Sequence, residues 1–160
     1  MATVHLGDLL VKHGVLTPAQ RDEVLNAQHT RGGPFGALAE QMFGVSPEAV
    51  ERAWAEQYAN IVPHLDPRTY NVDPNALELV SRRQAWQFCI IPMSFRGRSL
   101  LACTSQEHLP RALKFAGWRL AFTVEFTICE PLQLGEALEK YYPMAGMRAD
   151  YVLHGLPAAG

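Results

Sequence analysis

Long apolar runs are missing from this sequence. No stretch approaches the ~18 consecutive apolar residues of a membrane-crossing helix, so the chain is expected to be peripheral to a membrane at most. An excess of one charge is missing too: 14 Lys and Arg stand against 16 Asp and Glu, for a formal net charge of -2. That balance removes the electrostatic footprint of a nucleic-acid binder. Cysteine is scarce and odd in number. Cys89, Cys103 and Cys129 each sit in an apolar run, which fits buried thiols in a reducing compartment and not a disulfide framework. No Gly-Lys pair occurs, so there is no GxxxxGK[ST] phosphate loop. HExxH and CxxC are absent as well, and no metal site is expected. A thiol such as Cys103 in a strand is more simply a core residue than a nucleophile, so no catalytic residue is assigned and the chain is not expected to be an enzyme. The start, MATVHLGDLL, lacks a basic region followed by an apolar run and a cleavage site, and a cytoplasmic location is expected.

What is present is a globular composition, 48% hydrophobic and 19% charged over 160 residues. A chain of this length buries roughly 70% of its unfolded surface, enough for one domain or two small ones without metal or disulfide support. Residues 5–28, HLGDLLVKHGVLTPAQRDEVLNAQ, and residues 34–57, PFGALAEQMFGVSPEAVERAWAEQ, are two copies of one pattern. An offset of 29 places Leu6 on Phe35, Gly7 on Gly36, Leu16 on Val45, Thr17 on Ser46, Pro18 on Pro47 and Gln28 on Gln57. Residues 29–33 form the spacer.

Each copy reads as two short helices. Leu6, Leu9, Leu10 and His13 follow a helical stripe that Gly14 can end. Thr17-Pro18-Ala19-Gln20 has the form of a capped helix start, and Gly32-Gly33-Pro34 breaks that helix. In the second copy Leu38 and Met42 share a short helix. Ser46-Pro47-Glu48 then starts another, with Val50, Ala53, Trp54 and Gln57 on one face.

Downstream, the prolines of residues 61–69 predict an extended connector. A helix is expected over 75–84, strands over 88–95, 99–103 and 120–129, and a helix over 106–116 ended by Gly117. A last helix runs over 131–142. The expected fold is therefore α+β: a four-helix tandem-repeat subdomain over 1–60, then a small α/β subdomain with a three-stranded sheet over 70–143, and a flexible tail over 144–160.

The two spaced motifs and the downstream order resemble the N-terminal, MshEN-type domain of the type II secretion and type IV pilus assembly ATPases. The residues that carry the likeness are His5-Leu6-Gly7, Leu10-Val11, Gly14, Leu16, Gln20, Leu25 and Gln28 in the first copy. Phe35-Gly36, Val45, Trp54 and Gln57 carry it in the second, and VDPNALELVSRRQAWQFCIIPM, LLACTS and LGEALEKYY continue it. The resemblance implies a regulatory module that binds cyclic di-GMP through its tandem motifs. The ligand-binding residues it implies are His5, Leu6, Gly7, Leu10, Leu25 and Gln28, with Phe35, Gly36, Trp54 and Gln57. It also implies partnership with a secretion or pilus ATPase or an inner-membrane assembly protein. No cofactor is expected, only the possible ligand. The chemistry is reasonable, because a glycine at a helix start lets a phosphate approach bare backbone N–H groups.

The chain departs from the family pattern at several points. His5 stands where Arg is usual, and Pro34 holds the equivalent place in the second copy. A neutral imidazole lacks the guanidinium's fork of donors, though it can stack. Phe35 and Arg21 each replace a usual Leu, and Ala39-Glu40 stand opposite Leu10-Val11. Phe43-Gly44 falls where the first copy has Gly14-Val15, so that turn must differ. Two functions follow: nucleotide sensing, or a degenerate copy that serves as a protein docking module. Plainer roles stand beside them. Gly7 and Gly36 would serve helix packing, Gln28 and Gln57 exposed helix faces, and Trp54 and Trp86 the core. Arg82-Arg83 would be a solvated pair or would meet an acidic partner.

Overall fold

The computed structural model describes residues 5–154, and they fall into two compact units that divide between Ile61 and Val62. The first unit is made of α1 (Leu6–Lys12), α2 (Pro18–Arg31), α3 (Phe35–Phe43) and α4 (Pro47–Ile61). Thr17 opens α2 with a capping box: its hydroxyl accepts from Gln20 N at 3.1 Å, and its own N–H donates to Gln20 Oε1 at 2.9 Å. Ser46 does the same work before α4, its Oγ accepting from Ala49 N at 3.2 Å.

The offset of 29 governs the core as well as the sequence. Leu9 and Leu38, Leu10 and Ala39, Leu16 and Val45, and Val24 and Ala53 are four equivalent pairs, and all eight residues lie in one buried cluster, with Ala27 beside them. Packing is crossed between the copies: α1 lies on α4, and its counterpart α3 lies on α2. Each copy therefore buries its apolar face against the other, as stacked repeats do. The expected difference in turns is present. Gly14 takes φ +72° one residue beyond the His13 cap, whereas Gly44, at φ +65°, caps α3 directly.

The second unit holds α5 (Pro74–Leu77), α6 (Arg82–Phe88), β1 (Ile91–Arg96), β2 (Ser99–Ser105), α7 (Leu109–Arg119), β3 (Thr123–Cys129), α8 (Pro131–Tyr141) and α9 (Tyr151–His154). The sheet order is β1-β2-β3. β1 and β2 form an antiparallel hairpin from Arg96↔Ser99 to Ile91↔Cys103, with an irregularity between Pro92 and Ser94. β3 runs parallel to β2, from Ser99↔Thr123 to Ser105↔Cys129, and α7 makes the crossover. The architecture is α+β with a three-stranded mixed sheet, as expected. Trp86 is core, and its indole N–H donates to Tyr142 O at 2.8 Å.

Several boundaries differ from the expectation. The helix expected over 75–84 is two helices, because Ser81 is extended (ψ 160°) and restarts the chain with a capping box to Gln84. Phe88 ends α6 and does not begin a strand; Cys89 follows it in a left-handed conformation, φ 51°, its carbonyl accepting from the buried Thr104 hydroxyl at 2.7 Å. Gly117 lies inside α7, and Pro110 falls in that helix's first turn, where it breaks no hydrogen bond. Residues 120–122 precede β3 instead of belonging to it.

The stretch expected as a connector is partly integrated into the sheet. Ile128 N donates to Pro63 O at 3.2 Å and Leu65 N to Ile128 O at 3.1 Å, which sets His64 alongside β3. Arg68 then bonds Asp66 at 2.7 Å and Glu136 of α8 at 2.6 Å. The expected tail is also docked as far as it is described: Val152 is buried, and Ala149 N donates to Glu139 Oε1 at 2.6 Å. Residues 155–160 of that tail lie outside the described residues.

Candidate nucleotide-binding cleft

The residue before each motif glycine packs onto the glycine of the other copy. A methyl added at Gly7 would lie 2.7 Å from Phe35 Cζ, and one added at Gly36 would lie 3.6 Å from Leu6 Cδ2. The second neighbour is equivalent too. Arg21 Cγ stands 3.1 Å from the added methyl at Gly7, and Val50 Cγ1, 29 positions on, 2.7 Å from the one at Gly36. The two helix entrances thus lie side by side, related by an approximate twofold exchange. Neither α1 nor α3 has a side-chain cap: His5 and Pro34 precede them, and only their backbone carbonyls accept, from Asp8 and Leu9 N and from Leu38 N. The first backbone N–H groups of the two helices therefore have no side-chain partner.

A cavity of about 400 Å³ opens at this place. Its wall includes His5, Leu6 and Gly7 at the start of α1, and Leu25 and Gln28 on α2. The second copy contributes Phe35 and Gln57. Leu25 is 39% exposed, an apolar side chain facing the opening. Gln28 is turned to its own loop, donating from Nε2 to Gly33 O at 3.1 Å.

Three of the expected site residues are not in this wall. Leu10 is fully buried, in the core cluster that also holds its counterpart Ala39. Gly36 lies under Leu6 and Val50. Trp54, the counterpart of Leu25, is half-buried and packs on Tyr58, ring centroids 5.4 Å apart. The cleft is therefore lopsided, built mostly by the first copy.

Two lining residues were not expected, Asp8 and Arg21. Arg21 donates from Nη1 to Asp8 Oδ1 at 3.0 Å and from Nε to Asp22 Oδ1 at 3.2 Å. Sequence carried half the signal, since Arg21 stands in a place where the pattern calls for an apolar residue. Its guanidinium brings to the cleft the planar donor group that position 5 lacks.

The remaining reactive groups lie apart from this wall. Burial pushes the Cys89 thiol up to about 11. A hydrogen bond with Cys103, together with burial, raises the Cys129 thiol further. Such thiols stay protonated and are poor nucleophiles. Among the described residues, no group of three or more His, Cys, Asp or Glu side chains is placed to hold a metal ion. No helix among them is long and apolar enough to cross a membrane.

Comparison with known proteins assigns the fold to a family. Residues 61–148 match the family model of the MshEN domain. The chain belongs to the MshEN family. The matched stretch is the α+β unit, and the likeness to relatives extends further. The type IV pilus assembly ATPase PilB of Myxococcus xanthus (strain DK1622) is 21% identical over 141 residues, 88% of this chain. Those residues are 25% of PilB, so this chain spans about a quarter of that relative's length. A structure of MshE with cdg is 26% identical, covers 87% of this chain and 99% of its own, and superposes with a TM-score of 0.50. The N-terminal domain of XpsE is 18% identical over 86% of this chain and 93% of its own, with a TM-score of 0.47. The MshEN assignment agrees with the motif resemblance to the N-terminal domains of pilus and secretion ATPases. These 160 residues carry no phosphate-binding loop of an ATPase motor.

Proposed function

We propose that this MshEN chain is a cytoplasmic, non-catalytic regulatory module that binds cyclic di-GMP in the cleft between its two motif starts. The observation that carries this reading is the reciprocal packing of Phe35 on Gly7 and Leu6 on Gly36. It brings two equivalent helix entrances together, and a ligand with two equivalent halves matches such a pair. Uncapped N–H groups at α1 and α3 suit phosphate, and the Leu6, Leu25 and Phe35 side chains suit a purine face. MshE, whose structure was obtained with cdg, supports the same ligand class. The signal would pass to a secretion or pilus ATPase, or to an inner-membrane assembly protein.

Titration calorimetry of the purified chain tests this directly. Binding heat with a micromolar Kd is expected. No heat with ~100 μM ligand overturns the nucleotide reading.

A second reading, a degenerate copy that docks a protein, is favoured by one observation. The Phe35 ring already lies against Gly7 in the space a phosphate would approach, and His5 offers no guanidinium. His5→Arg separates the two. A charged hydrogen bond contributes ~1.5–3 kcal/mol, so a sensor gains about tenfold or more in affinity. If His5→Arg creates binding where the native chain shows none, the docking reading stands.

A further inference from the structure

The second unit has its own concavity, about 360 Å³, between α6 and α7. Phe88 and Phe115 form its floor, their rings stacked with centroids 4.5 Å apart and planes 16° from parallel. Trp118 stands at the edge, 76% exposed, with the Arg119 guanidinium 4.7 Å from its ring centroid. Arg111 fixes the two helices together, donating from Nη1 to Gln87 O at 3.2 Å.

Two features separate this groove from an ordinary solvated face. The first is charge. α6 and α7 carry Arg82, Arg83, Arg111, Lys114 and Arg119 and not one Asp or Glu, in a chain whose net charge is -2. All five side chains are exposed, and among the described residues Arg82, Arg83 and Arg119 make no ion pair. The second is apolar surface. Trp118 is the most exposed large hydrophobic residue among those described, and it lies beside two more aromatic rings. A solvated cationic face has no use for an exposed tryptophan beside a half-buried phenylalanine, and a purely apolar ligand has no use for unpaired arginines. Arginine and tryptophan together are the residue types that dominate binding energy at protein interfaces.

We propose that the α6–α7 groove docks an acidic segment of a partner protein. One large apolar side chain of that segment seats between Phe88, Phe115 and Trp118, and flanking carboxylates pair with Arg83 and Arg119. The concavity has the size of one side chain and not of a flat surface, which suits a peptide side chain better than a phosphate polymer or a bilayer. Every residue that lines this groove belongs to the second unit, and the proposal does not rest on the nucleotide reading.

The test is fluorescence anisotropy with the full chain and a labelled probe peptide, Glu-Asp-Glu-Phe-Glu-Asp-Glu. Saturable binding in the micromolar range is expected, weakening as salt rises above about 0.15 M. Replacing the probe's acids by amides, or its Phe by Ser, should each weaken binding about tenfold or more. The protein variants R83E/R119E and W118S should do the same. These side chains are exposed, so circular dichroism and melting temperature should stay native in both variants. Absence of saturable binding at ~1 mM peptide overturns the proposal. So does equal binding of the amide probe, or a preference for a DNA duplex or for phosphatidylglycerol vesicles in the same assay.

Discussion

Gly7 and Gly36 are equivalent by sequence but have different neighbours, and the difference predicts different outcomes for the same substitution. At Gly36 the added methyl meets Val50 Cγ1 at 2.7 Å, a β-branched side chain on α4 with little freedom to turn away. At Gly7 it meets the far end of the Phe35 ring at the same distance, and that ring borders an open cavity into which it can move. Gly36→Ala should therefore destabilise the chain by about 1–3 kcal/mol, as overpacking does. Gly7→Ala should cost less stability but shift Phe35 into the cleft and weaken the proposed binding of cyclic di-GMP. Chemical denaturation and calorimetry on the two variants check the contrast. A larger stability loss at Gly7 than at Gly36 would refute it.

Helices and segments are tied together by contacts that titrate or jam. Glu56 on α4 holds α1 through Lys12 at 3.1 Å and His13 at 2.6 Å, and the hydrogen bond from His13 depresses its carboxyl below the usual range. Asp66 is lowered in the same direction, first by its hydrogen bond from Arg68. A carboxylate with a depressed folded-state pKa binds protons more readily when unfolded. Its contribution is therefore present at neutral pH and is lost as pH falls through about 4 and below. Glu56→Gln should lower the melting temperature at neutral pH, and by less in acid, once the carboxylate is protonated. Equal losses at both pH values would rule out the carboxylate as the cause. On α8, a methyl at Gly135 would run into the backbone carbonyl of Ala149. Backbone cannot swing aside as a ring can, so Gly135→Ala should lift the segment around α9 from α8. Faster proteolysis between Tyr142 and Leu153 is the expected readout, and unchanged proteolysis would show that the segment is not held there.

The molecule as a whole is two cores. The first unit closes around Leu9, Leu10, Val24, Leu38 and their partners. The second closes around the sheet, with Trp86, Ile90, Leu100, Phe126 and Leu138 buried. Pro63 and Leu65 bond Ile128, so the second unit includes its own first residues. A fragment beginning at Val62 should fold alone, with a cooperative thermal transition and a buried Trp86 by fluorescence. A featureless melt from that fragment would show that its core needs the first 61 residues. The first unit, all helical among its described residues, should refold the faster of the two.

Much of this is legible in the sequence alone. Thr17 and Gln20 signal a helix start through atoms three residues apart, and the alternation of the strands needs only neighbours. The 29-residue offset located the repeat, and with it four of the core pairs. One local signal divides the helix expected over 75–84: Ser81 and Gln84 have the same capping form as Thr17 and Gln20. Other features depend on which faces meet after the chain folds back. Periodicity puts Leu10, Gly36 and Trp54 on helices, but packing of α1 on α4 and α3 on α2 sends Leu10 to the core and keeps the other two out of the cleft. The same packing draws Arg21 and Asp8 in. Phe88, Phe115 and Trp118 are up to 30 residues apart and form a groove only because the α7 crossover returns beside α6. Hydrogen bonding and side-chain alternation act over a few residues and so are written along the chain. Cavities and charge clusters arise where distant faces exclude water together, and no short stretch encodes that.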